Sequence, residues 1–348
     1  MLRLNQRKNG LKTLSQTPRQ TWGRPAKILL AGIAGAAACG GASLAETLTQ
    51  PEITALEETA ASYVRYRKDV AAIEATPIDN PSATREAHKR LAAHDPDALT
   101  AGWVAYAALV AADTPEFAAA IQKEVGGKKR KRRKRGALAG KDALYAKLSQ
   151  DPTYPRSLDG SKAAVDRVLA MTAQDANRFN KLGEAFKAQA YAMQKTKWGK
   201  KRISAPSKRI SEANDYASSR PAAAPPATSP AANDGVIAPM LASANEHWDH
   251  NWGASGASGR LKNGNAQAVM DRVLNLATRY AMGGVNDKLV DVYAKNTKSQ
   301  RCLSMAKLTL TQCIAATRTP YEEAFCLGEH GLNDIGNCVG WVASADAS

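Results

Sequence analysis

The stretch that decides the fold runs from Arg301 to Cys338 and reads RCLSMAKLTLTQCIAATRTPYEEAFCLGEHGLNDIGNC. It holds four of the chain's five cysteines, Cys302, Cys313, Cys326 and Cys338. Leu303, Ala306, Leu310, Cys313 and Ile314 fall at helical spacings, which predicts one helix over Gln300 to Ala316. On that helix Cys302 and Cys313 are separated by roughly 16 Å along the axis. A disulfide needs Cα atoms within about 7 Å, so these two cannot bond to each other while the helix is intact.

The nested pairs, Cys313 with Cys326 and Cys302 with Cys338, are centred on one point in the chain. At that point stands Arg318-Thr319-Pro320-Tyr321-Glu322, with Thr319 as an N-cap, Pro320 as the first helical residue and Glu322 as the return partner of a capping box. A helix stops, the chain turns and a second helix starts, which is an αα-hairpin. The expected bonds are Cys313–Cys326 near the turn and Cys302–Cys338 near the open end. Closing loops of this size stabilises a chain by about 3 kcal/mol per bridge. Gly328, Gly331 and Gly336 make the second arm a poor helix, which leaves open a direct Cys326–Cys338 bond. That alternative forces Cys302 onto Cys313. A zinc site lacks support because no cysteine has C-x-x-C spacing.

The arrangement resembles, as architecture only, the twin-cysteine helical hairpins of the mitochondrial intermembrane space. The cysteine spacing here is longer than in that family, and the amino end points to another route. No function is carried over.

From Met1 to Ala45 there are seven basic residues and no acid; the last basic residue, Lys27, is followed by the uncharged stretch ILLAGIAGAAACGGASLA. Basic, apolar and small-residue parts in that order predict a secretory signal over 1–45, cleaved after Ala45. A retained membrane anchor over Ile28 to Ala45 and lipidation of Cys39, which follows Ala36-Ala37-Ala38, are the alternatives. Removing or lipidating Cys39 leaves an even number of cysteines, as an oxidising compartment with two disulfides requires.

Taking those seven from the 48 basic residues leaves 41 against 32 acidic ones, a net +9. Eight of them form one run, Lys128, Lys129, Arg130, Lys131, Arg132, Arg133, Lys134 and Arg135, inside a predicted basic loop over 126–140. Behind a signal peptide this run points to an anionic polymer or membrane surface, held by Coulomb attraction and counterion release. No aromatic residue interleaves it to stack bases, so specific nucleic-acid recognition is not implied. A solvated, self-repelling loop is the plain structural explanation.

The rest of the chain reads as all-α. Asn80-Pro81, Asp95-Pro96 and Thr114-Pro115 each set a capping side chain before a proline and predict three helix starts. Val165, Val168, Thr172, Phe179, Leu182, Phe186 and Met193 follow a near-heptad pattern interrupted by Asp175 and Gln189. No alternating strand series occurs. The helical region is expected over 46–200 and a Pro/Ala/Ser-rich disordered linker over 201–240. A C-terminal helical domain is expected over 241–348, with the four-cysteine hairpin at 300–340.

Chemistry is confined to one candidate cluster, NEHWDHNWG, where Glu246, His247, Asp249 and His250 crowd together. On a helix His247 and His250 would share a face and could hold a metal. The spacing is not H-E-x-x-H, and a polar helix start is the competing account. His88, His94 and His330 stand apart from one another. No cofactor is implied, since phosphate-loop and dinucleotide motifs are missing, and no small-molecule substrate is evident. The sequence predicts a non-enzymatic exported scaffold or adaptor of the cell envelope. A metal-dependent hydrolase using the Glu246–His250 cluster is the alternative.

Overall fold

The computed structural model describes residues 54–127, 140–203, 205–219 and 263–344, all of them helices and short connections with no strand. The described residues form α1 (Ala55–Glu74), α2 (Pro81–Ala92), α3 (Pro96–Ala112), α4 (Pro115–Gly127), α5 (Lys141–Gln150), α6 (Ser161–Met193) and α7 (Pro206–Ser218). They continue through α8 (Asn263–Ala281), α9 (Asp287–Tyr293), α10 (Thr297–Ala316), α11 (Pro320–Cys326) and α12 (Asp334–Ser344). All-α architecture with a disulfide-stapled C-terminal hairpin is therefore what this chain builds.

The helix starts lie where their capping chemistry puts them. The Asn80 side chain accepts from Ser82 N–H and Ala83 N–H, and that of Asp95 accepts from Asp97 N–H and Ala98 N–H. Each fills donors that the first turn leaves without a partner, with proline following at the first helical position. At the other end of α8, Gly283 adopts φ +73° and terminates the helix in the left-handed region that suits glycine.

Helix α3 is apolar on every side, and a helix of that kind must be enclosed. Leu99, Trp103 and the run from Val104 to Ala111 are all buried, with α1 on one side and α8 on another. Gly102 permits the α1 contact, because a Cβ there would sit 2.8 Å from the Tyr63 backbone nitrogen. Among the described residues no single helix is long and apolar enough to cross a membrane.

Helix α6 runs for 33 residues and crosses much of the fold. The two positions that interrupt its apolar pattern are polar grips. Buried Asp175 accepts from the Tyr63 hydroxyl at 2.8 Å and pairs with Arg67 at 3.1 Å, both on α1. Gln189 donates to the Ile78 carbonyl. Asp175 needs that company, since burial pushes its carboxyl up while the Arg67 charge and the Tyr63 hydrogen bond pull it back.

Two expectations change. Inside the 201–240 stretch expected as a linker, Pro206–Ser218 is helical, started by proline at the first position in the same way as α2 and α3. Helices from either side of that stretch also share one core, in which Tyr63, Trp103 and Phe179 join Val273, Leu303 and Val342. The boundary expected at 201–240 rests on composition, which shows where large apolar residues thin out. Composition does not show which faces later meet.

The second arm of the hairpin is also more regular than its glycines suggest. It continues from α11 through a π-helical turn, Leu327–Asn333, directly into α12. The glycines serve close approach. A Cβ on Gly328 would lie 2.5 Å from the Gly183 carbonyl oxygen, and one on Gly183 would lie 2.0 Å from Asn333 Oδ1. Packing of α6 against this turn offsets the helix propensity that glycine lacks.

Candidate functional site

The hairpin and what it encloses form the candidate site. Both nested disulfides are present. Cys313 and Cys326 stand 5.7 Å apart between Cα atoms, and Cys302 and Cys338 stand 5.5 Å apart, within the range a bridge needs. The turn is fixed by the Glu322 carboxylate, which accepts from Thr319 N–H at 3.0 Å and from Arg318 N–H.

The two bonds have different neighbours. Cys338 is buried in the main core with Trp341, whose indole N–H donates to Ser299 Oγ at 2.9 Å. Cys326 belongs to a separate small cluster with Ala92, Ile314 and Ala213 of α7, against which Cys313 and Tyr216 pack. An apolar groove of about 390 Å³ runs along the outer side of this closed end. Cys313 and Cys326 are in its wall with Tyr191, Thr317, Tyr321 and Phe325. The Tyr191 and Phe325 rings meet edge to face, 6.2 Å between centroids.

Under the turn is a buried polar centre. Arg209 of α7 is fully buried and reaches into the hairpin. Its Nη2 donates to the Ile314 carbonyl at 3.1 Å, to Thr317 Oγ1 at 2.6 Å and to Glu323 Oε1 at 2.6 Å. Its Nη1 pairs with Glu212 one turn away. Glu323 is fully buried as well. Burial pushes its carboxyl up, opposed by the Arg209 charge. His88 of α2 belongs to the same electrostatic neighbourhood. Burial first, and the Arg209 charge second, hold its imidazole down to about 3, so it is neutral at physiological pH. Neither of its ring nitrogens has a hydrogen-bond partner.

Sequence reasoning missed this centre. Glu323 sits beside the capping box it did identify, and Arg209 lies in a stretch taken for linker. Pro206, at the first helical position, was the available signal for α7.

The other two histidines among the described residues have carboxylate partners: His94 Nε2 lies 2.9 Å from Asp69 Oδ2, and His330 Nδ1 lies 2.9 Å from Asp334 Oδ2. Among the described residues no group of three or more His, Cys, Asp or Glu side chains could hold a metal. Lys128 to Arg135, the Glu246, His247, Asp249 and His250 cluster, and Cys39 lie outside the described residues. No protein-family model, curated protein or solved structure matches the chain.

Proposed function

We propose that this protein is an exported, non-enzymatic scaffold or adaptor of the cell envelope. In this reading the stapled hairpin is its most rigid recognition unit and Lys128 to Arg135 tether it to an anionic polymer or membrane surface. The observation that carries the reading is the pair of nested disulfides, which joins every cysteine beyond Cys39. Structural bonds of this kind persist in oxidising compartments and are rare in the reducing cytosol. The amino-terminal pattern of basic, apolar and small residues supports the same route.

The test is intact mass of the native protein from fractionated cells, with and without reductant. The expected species begins at Glu46, resides in the envelope fraction and gains the mass of four hydrogens on reduction. A full-length chain in the cytosol with all five thiols free would overturn the reading. The tether is tested separately by deleting Lys128 to Arg135. Release of the shortened protein at moderate salt is expected, and unchanged, salt-insensitive retention removes that part of the proposal.

A further inference from the structure

We propose that Cys313–Cys326 is a thiol–disulfide exchange site for a dithiol reductant, and that its reduction releases α7 from the hairpin. All three groups that accept from Arg209 Nη2, at Ile314, Thr317 and Glu323, lie within the loop that this one bond closes. The disulfide therefore holds together the cradle for a fully buried guanidinium. Helix α7 buries only Arg209 and Ala213, and packs on α10, the first arm of the hairpin, and on α2, with Tyr216 partly buried against the same small cluster. Ala213 itself packs in the cluster that contains Cys326.

A buried ion pair is favourable only while its geometry is good, because each charge has lost its hydration. When the loop opens, the acceptors separate and Arg209 regains water by leaving. The other bond confines the change. Cys302–Cys338 keeps the open end of the arms tied within the main core, so the response is local undocking.

The groove gives the reductant access. Both bonded cysteines are in its wall, and Cys313 is the more exposed of the two. An incoming thiolate attacks Cys313 Sγ, forms a mixed disulfide and expels Cys326 as a thiolate. The second thiol of the reductant then attacks the mixed disulfide and expels Cys313. The protein bond gains two electrons and two protons, both taken from the dithiol, which ends as a disulfide.

The experiment titrates the oxidised full-length protein with dithiothreitol at neutral pH, traps thiols with iodoacetamide and maps them by peptide mass. Cys313 and Cys326 are expected to alkylate while Cys302–Cys338 remains joined. In that partly reduced form the amides of 206–218 should exchange hydrogen on the order of tenfold faster, with those of α3 unchanged. Reduction of Cys302–Cys338 first, or of both bonds together, overturns the exchange site. Selective reduction with unchanged protection of α7 overturns the release. Arg209→Gln, with both disulfides intact, should expose α7 to the same degree. If that variant does not fold, the titration of the wild-type protein decides.

Discussion

The two disulfides join the same pair of arms, but they bridge different kinds of surroundings. At the open end Cys302–Cys338 joins helices that apolar packing around Trp341 already holds. At the closed end Cys313–Cys326 frames a polar centre in which Arg209, Glu323 and His88 are buried together. The difference teaches that a covalent bond in an apolar setting adds to a sum of small contacts. A bond whose loop carries the partners of a buried charge also conditions whether that charge can remain buried at all.

The largest expected effect breaks the closed end directly. Arg209→Ala leaves Glu323 buried without its partner and should cost about 3–5 kcal/mol of unfolding free energy in a denaturant titration. A loss below 1 kcal/mol would mean that the pair is not organised as described. Next, removing each bridge by paired Cys→Ser changes should cost about 4 kcal/mol for Cys302–Cys338 and about 3 kcal/mol for Cys313–Cys326, because the former closes the longer loop. Equal α7 exchange in the two variants would erase the contrast between the ends.

Gly328→Ala probes the arm between the bonds. The added methyl meets the Gly183 carbonyl oxygen at 2.5 Å, and overpacking of that kind costs about 1–3 kcal/mol, read from the thermal midpoint. The smallest effect is His88's. The folded state keeps this imidazole neutral down to about 3, whereas the unfolded chain takes up a proton near 6.5. Its contribution to stability is therefore full above the unfolded value and is lost as pH falls. The loss between about pH 7 and pH 6 is roughly 0.7 kcal/mol, and it continues towards pH 3. His88→Leu should flatten that part of the pH profile, and an unchanged slope would assign it to other groups.

Much of the hairpin was legible because its signals are local. The capping residues at Thr319 to Glu322 locate the turn, and the length of the preceding helix forbids Cys302 from reaching Cys313. The glycines of the second arm misled for the opposite reason. Helix propensity describes a segment alone, whereas Gly328 and Gly183 record a contact between segments far apart in the chain. The same holds for Asp175 and Gln189, which look like breaks in a pattern until α1 and Ile78 arrive to meet them.

By itself the sequence determined the all-α class, three proline-marked helix starts and the nesting of the cysteines, since each depends on backbone chemistry within a few residues or on the rigid rise of one helix. Only the tertiary structure decided that both halves share one core and that α7 delivers Arg209 into the hairpin. Those outcomes depend on which surfaces exclude water together, and a buried charge can be recognised only once the groups that surround it are known.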